Sequence, residues 1–299
     1  MAAKISPAGR LSAPPDWALA RVPGLERGAP AIALARLPGG SVNEVFRVDS
    51  RCGRFVVRID GAAWRRPGVD RARELELHRA AAAAGIAPAI VVADPSSHGL
   101  LITEFQDGLL WREQEYEDVA ALQRLGERLY ALHGLAPPAV TPFDPWSVAQ
   151  HYVERIHQAM PAGLSPQQLL APLEYLQRCC EALRESASAA CIVHGDLAHN
   201  NLLEGRQLWL LDWEYAQRSD PLMDVACVLA YYPAARRYGA ELAGAAGVGA
   251  AARGELAARV YIHEALAWLW HLARGEAAAA PPGLPHAAGA GIPPVGPAN

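Results

Sequence analysis

The sequence has no Cys-x-x-Cys pair, no marked charge excess of either sign and no apolar run of the roughly 18 residues that a membrane span needs. Each absence removes a class of protein. The five cysteines, Cys52, Cys179, Cys180, Cys191 and Cys227, are an odd number with one adjacent pair, which points to a reducing compartment and no structural zinc site. A formal net charge of −4 leaves no electrostatic footprint for nucleic acid or an anionic membrane. The first twenty residues contain no apolar stretch of the kind found in secretion signals, so a cytoplasmic location is expected. There is no internal repeat and no dense acidic run late in the chain. Only 19% of residues are charged, so a short segment that concentrates them stands out.

What is present supports a folded protein. A hydrophobic content of 52% over 299 residues is enough for a sizeable core and one or two domains. Residues 31–37, 43–50 and 53–59 read as strands, the last rich in β-branched side chains. Residues 70–85 read as a helix, with a run of alanines and Gly85 as its stop. "AIVVAD" and residues 99–105 add two short strands. Beyond residue 108 the pattern becomes mostly helical. Residues 116–135 place Val119, Leu122, Leu125, Leu129 and Leu132 three or four apart, and 165–186 and 254–275 read likewise. Short strands "CIV", "NLLEG" and "LWLLDW" flank residues 192–216. A small sheet-rich lobe before a larger helical one implies a ligand cleft between them. Residues 277–299 are almost all Ala, Pro and Gly and read as a disordered tail.

The polar concentration is "IVHGDLAHNNLLEGRQLWLLDWEYA", residues 192–216. His194, Asp196 and His199 have a spacing that could hold a divalent metal, as in a hydrolase. A wider window offers another reading. Asn201 lies five positions after Asp196, and Asp212 follows the apolar run "LWLL". A loop closing on a hairpin would bring Asp196, Asn201 and Asp212 to one mouth. Amide and carboxylate oxygens are hard ligands suited to Mg²⁺, and Asp196 stays free to take a proton. Upstream, "PGGSVNEVF" offers a glycine turn able to approach phosphates. Arg58 sits within an apolar strand and needs a partner, for which Glu74 on the following helix is the candidate. Metal ligands, a base and a cation for the phosphates are what phosphoryl transfer requires.

With "HGDLAHNN", "LLDWEYA" followed by "DPLMDVA", and "GGSVNEVF…FVVRI", residues 30–275 resemble the aminoglycoside phosphotransferase and choline kinase superfamily. In motif they are most similar to choline/ethanolamine kinases and bacterial thiamine kinases. The resemblance implies an α+β, bilobal, protein-kinase-like fold. A five-stranded antiparallel N-lobe with one main helix would span 1–103, a hinge 104–108, and a helical C-lobe with the catalytic loop and substrate pocket 109–276. It implies an ATP- and Mg²⁺-dependent kinase of a small, cationic alcohol of choline or ethanolamine type, acting as monomer or homodimer. Thiamine, an aminoglycoside and an amino-sugar are the other substrates it admits, and an inactive nucleotide-binding protein is the other fate of the fold. Asp196 would be the catalytic base, and Asn201 and Asp212 the Mg²⁺ ligands. Gly39, Gly40, Ser41, Arg58 and Glu74 would serve the phosphates, with Glu74 preferred to Glu76. Glu104, Phe105 and Gln106 would serve the adenine. His194 would shape the loop, Asp224 would anchor it, and His133 would pack or cap.

A cationic substrate would favour aromatic neighbours. Trp213, Glu214 and Trp270 are the candidate substrate residues. Tyr215, Tyr232 and Trp268 are further aromatic candidates, and Glu214 and Asp107 are the acids compatible with a cation. Tyr231 and Tyr261 read as core packing. Trp268 and Trp270 are two apart on a helix, about 200° around the axis, so they do not both line one pocket.

Overall fold

Alternation of apolar and polar side chains builds the first sheet. The computed structural model describes residues 11–26, 29–38, 43–60, 69–96, 99–185, 190–249, 255–276 and 280–283. After a single helical turn, α1 (Asp16–Leu19), come β1 (Ala33–Arg36), β2 (Asn43–Ser50) and β3 (Gly53–Asp60). The helix α2 (Arg71–Ala83) precedes β4 (Ile90–Asp94) and β5 (Leu100–Glu104). The sheet is five-stranded and antiparallel throughout, as the resemblance implies, and its strand order is β1-β2-β3-β5-β4. Phe46 and Val48 on β2, Phe55, Val57 and Ile59 on β3, and Leu100 and Ile102 on β5 point into one core with Ala18, Val22 and Leu25. Period-2 burial on adjacent strands fixes the register. It places Arg58 opposite Val45 on one side and Leu101 on the other.

The start of α2 is set by Asp70, whose carboxylate accepts from the amides of Ala72 and Arg73. Such a cap contributes about 1 kcal/mol. Further along lie β6 (Leu109–Leu110), α3 (Val119–His133), α4 (Pro145–Gln158), α5 (Gln167–Glu185) and β7 (Cys191–Val193). The hairpin β8 (Leu202–Glu204) and β9 (Leu208–Leu210) follows, then β10 (Gln217–Ser219), α6 (Leu222–Tyr231), α7 (Gly239–Ala245) and α8 (Leu256–Ala273).

The chain divides into two compact units. One holds the chain up to Leu110 together with Asn200–Glu214; the other holds Trp111–His199 and the chain from Tyr215 onward. In the first, β6, β8 and β9 form a second, three-stranded sheet. The return of 200–214 to the first unit is not visible in composition, because it depends on pairing with β6 and on the Leu210 amide donating to the Ile86 carbonyl. In the second, Tyr152, Ile156, Leu176, Cys179, Tyr261 and Leu269 are among the residues that form one core from α4, α5 and α8.

The predicted helices are present with trimmed ends. Residues 113–117, just before α3, form a tighter 3-10 turn. The sequence reading has no helix at α4, whose buried Ala149, Tyr152 and Ile156 join the core together with Trp146 and Val153. Its start signal is nevertheless plain, since Asp144 caps it and Pro145 opens it. Four of the five cysteines are buried and all five are free thiols. No helix among the described residues is long and apolar enough to cross a membrane. Gly39, Gly40 and Ser41 lie outside the described residues. Of the expected tail, 280–283 is described and forms no helix or strand.

Gly126 lets α3 approach α7 closely. A Cβ there would stand 2.5 Å from the Ala245 Cβ and 2.9 Å from the Leu242 carbonyl oxygen. Alanine is the better helix former by about 1 kcal/mol. Even so, Gly126→Ala is expected to lower stability in urea unfolding by about 1–3 kcal/mol, because overpacking at backbone outweighs propensity. A more stable variant would contradict this contact.

Candidate active site

In the first unit the site grows from Arg58, a guanidinium 7% exposed on the central strand β3. Its Nη1 and Nη2 donate to the two Glu74 carboxylate oxygens at 2.5 and 3.0 Å. Nη1 also reaches Asp212 Oδ1 at 3.2 Å. Glu74 takes a second guanidinium from Arg71 at 2.6 Å. Arg71 in turn grips Asp60 with two bonds, 2.9 and 2.5 Å, and touches Glu214 at 3.2 Å. Asn43 donates to the same Glu214 oxygen at 3.0 Å. Burial alone would raise the Glu74 carboxyl, but the flanking Arg58 and Arg71 outweigh it and hold it down at about 2. Burial of Asp60 dominates over Arg71, so its carboxyl lies above the ordinary value. Two guanidinium groups thus face four carboxylates, Asp60, Glu74, Asp212 and Glu214. The Arg58 Nε is buried without a hydrogen-bond partner among the described residues. Such an orphan donor is uncommon in a packed interior.

The hairpin brings Asn201 and Asp212 to its open end. Leu202 pairs with Leu210, and the Leu211 amide donates to the Asn201 carbonyl at 2.8 Å. Asn201 is buried, whereas the Asp212 side chain is 30% exposed. Asp212 is the one described residue other than glycine with positive φ, at 56°. That left-handed conformation costs an L-residue of order 1 kcal/mol or more and persists where the surroundings enforce it. After β5, the amides of Glu104 and Phe105 donate to the Ala89 and Arg54 carbonyls. The Phe105 ring lies beneath the Arg47 and Arg54 guanidinium groups.

In the second unit the loop after β7 carries Asp196. It is held from α6 by Asp224, which is fully buried. The Asp224 carboxylate accepts from the His194 and Gly195 amides at 3.0 and 2.9 Å, and faces His133 Nε2 at 3.0 Å. Burial would raise the Asp224 carboxyl; the bond with His133 and the loop amides reverse this and bring it below the ordinary value. Gly195 has φ 76°, and a Cβ there would stand 2.6 Å from the Tyr215 carbonyl oxygen, so this loop position needs glycine. The Asp196 amide donates to His194 Nδ1 at 3.3 Å. The His199 ring meets the Tyr232 hydroxyl at 2.8 Å. No group of three His, Cys, Asp or Glu side chains among the described residues is arranged to hold a metal, so the hydrolase reading of His194, Asp196 and His199 has no ligand cluster behind it.

Comparison with known proteins bears on this arrangement. A family model described as "Phosphotransferase enzyme family" matches residues 33–262. The chain belongs to the phosphotransferase enzyme family. Among solved structures, this phosphotransferase is similar to a choline/ethanolamine kinase family protein from Mesorhizobium loti, with 26% identity and a TM-score of 0.70, over 86% of this chain and 84% of that one. It shares the fold of the choline kinase LicA from Streptococcus pneumoniae, at 15% identity and a TM-score of 0.68, over 84% and 88% of the two chains. It also shares the fold of a thermostable mutant of the aminoglycoside phosphotransferase APH(4)-Ia, at 20% identity and a TM-score of 0.62, over 84% and 91%. Among curated protein sequences nothing matches.

The structure sorts the residues predicted from the phosphotransferase's sequence. Glu74 is buried on Arg58, whereas Glu76 is exposed beside Arg79. Trp213, a candidate substrate residue, lies in the interior. It is fully buried, stacks on His78 and donates to the Leu210 carbonyl, so packing claims its ring. Glu214 is buried against Asn43 and Arg71. Trp270 is partly buried with Arg274 over its face, and Trp268 lies in the core. Asp107 is exposed and paired with Arg54. Tyr261 is core, as expected, but Tyr231 is 38% exposed and is not. Arg71 and Asp60 escaped the sequence reading. The signal was there, since Asp60 shares a strand face with Arg58 and Arg71 stands three before Glu74 on a helix.

The sign of the Glu74 shift yields a test. A carboxyl lowered in the fold gives stability that is complete above its unfolded value, 4.5, and lost as pH falls toward about 2. Urea unfolding of the wild type should weaken across that window, and Glu74→Gln should flatten part of the slope. Parallel curves for the two proteins would count against the buried pair.

Proposed function

We propose that this phosphotransferase moves the γ-phosphoryl group of ATP, with Mg²⁺, to the hydroxyl of a small cationic alcohol of choline or ethanolamine type. The observation that carries the reading is the buried Arg58–Glu74 pair with Asp212 at 3.2 Å, on a chain whose family is phosphotransferase. A strand-borne cation held rigid by a carboxylate suits positioning of phosphates. The choline/ethanolamine side of the family is favoured by the 26% identity over most of both chains.

The residues fit the metal. Asp212 and Asn201 offer hard oxygens at the mouth of the hairpin, and the excess of carboxylates over guanidinium groups favours a divalent cation. With Mg²⁺ bound, charge building on the phosphate oxygens would be neutralised. Arg58 would orient the phosphates, while Glu74 keeps its guanidinium from swinging. The backbone of Glu104–Gln106 would hold the base. Asp196 would accept the proton of the substrate hydroxyl as the new O–P bond forms and the bond between β- and γ-phosphate breaks, leaving ADP and a phosphate ester.

ADP release from Mg-ATP tests the reading with choline, ethanolamine, thiamine and kanamycin offered in parallel. Choline or ethanolamine should stimulate release, and Asp196→Asn should lose about 10²–10⁴-fold of it. Stimulation by thiamine or kanamycin alone would move the substrate class. Equal rates in wild type and Asp196→Asn would remove Asp196 from the chemistry.

A further inference from the structure

The 194–199 loop is held on both sides of Asp196. Upstream, Asp224 takes the amides of His194 and Gly195 at 3.0 and 2.9 Å. Downstream, the bonds come from two tyrosines. The Tyr116 hydroxyl donates to the Leu197 carbonyl at 2.7 Å. The Tyr232 hydroxyl accepts from the His199 amide at 2.8 Å and stands 2.8 Å from His199 Nδ1. An amide nitrogen only donates, so the Tyr232 proton is left for the ring nitrogen. The Cys227 Sγ, a weaker acceptor, takes the Leu197 amide at 3.3 Å. His199 closes this stretch of the second unit, since Asn200 belongs to the first. Fixing the loop downstream of Asp196 from within the second unit therefore falls to residues 197–199.

The two tyrosines come from separate segments. Tyr116 lies in the 3-10 turn before α3 and is fully buried. Tyr232 follows α6 directly; its amide donates to the Val228 carbonyl, and its own carbonyl accepts from the Ala235 amide. Arg237 ties the two segments again by donating to the Glu117 carbonyl at 3.2 Å. The two rings lie 3.6 Å apart between centroids and 9° from parallel. Ring pairs left to their own attraction prefer an offset stack or an edge-on contact with centroids about 4.5–7 Å apart. Tyr116 has such an edge-on contact with Trp111, at 5.4 Å and 77°. Ring attraction does not select the direct overlap with Tyr232. That overlap is what sets two hydroxyls side by side, one for each side of Ala198.

We infer that Tyr116 and Tyr232 are positioning residues that act as one clamp on the loop after Asp196. Stacked face to face, they fix the Leu197 carbonyl and the His199 amide with neighbouring hydroxyls, and so set the orientation in which the Asp196 carboxylate is presented. The clamp is a property of the fold; its effect on turnover rests on the reading of Asp196 as the base.

Tyr116→Phe and Tyr232→Phe each remove a hydroxyl and keep the ring. Amide hydrogen exchange, read by NMR, reports the clamp without any substrate, and the His194 and Gly195 amides held by Asp224 serve as internal reference. In Tyr232→Phe the His199 amide loses its acceptor and should exchange at least about tenfold faster, with the two reference amides within about twofold. Tyr116→Phe should quicken the same amide, although its hydroxyl touches Leu197 and not His199. In turnover each variant should lose roughly tenfold in kcat with the KM for ATP within about twofold, and the double variant should be little worse than either single one. A His199 amide unchanged in both variants, or one that quickens only together with His194 and Gly195, would overturn the clamp. A quickened amide with unchanged kcat would overturn the positioning role. If the wild type turns over none of the alcohols, the kinase reading falls and hydrogen exchange alone decides the clamp.

Discussion

A guanidinium buried in the middle of a sheet is the constraint on which the first unit depends. Removing Arg58 from water costs several kcal/mol, and the cost is offset only if a carboxylate meets it in good geometry. Glu74 does so with both oxygens. That single requirement fixes the register of α2 against β3. It also draws in Arg71, whose own charge needs Asp60 and Glu214. The acid-rich turn after β9 is therefore tied to the same network as the strand and the helix. Asp212 stands within reach of Arg58 because Glu214, two residues on, is tied to Arg71 and Asn43.

Asp224 has the corresponding place in the second unit. It lies in the first turn of α6, where the helix dipole favours a carboxylate, and it receives two loop amides and His133. These donors keep a fully buried carboxyl below its ordinary value. The result is a rigid loop, held residue by residue from one helix. Rigidity is what a base needs if it is to meet a hydroxyl in one orientation. The two networks solve the same problem with opposite charges, one built around a cation and the other around an anion.

Much of this was legible in the sequence because charge in an apolar context demands a partner. Arg58 inside "FVVRI" announced Glu74, and alternation with β-branched and short apolar runs announced five strands that the structure joins in one sheet. The loop motif announced Asp224 as an anchor. Aromatic residues were less legible. Trp213 and Trp270 both suit a cation, yet one is filled in by His78 and the other covered by Arg274. Tyr231 was read as core, because composition does not show that the end of α6 leaves its ring half in water. Arg71 was missed because a second arginine in the first turn of a helix resembles a solvated surface charge. Helix α4 was missed although its cap, its proline and the spacing of its apolar residues were in plain view.

The most direct test of the account is the affinity for Mg-ATP, measured by titration calorimetry on the wild type and Glu74→Gln, with folding of both checked by circular dichroism. If Glu74 holds Arg58 for the phosphates, the wild type should bind and the variant, still folded, should bind at least about tenfold more weakly. Equal affinity in the two proteins would contradict the central claim, and a wild type that binds no nucleotide would contradict the kinase reading with it.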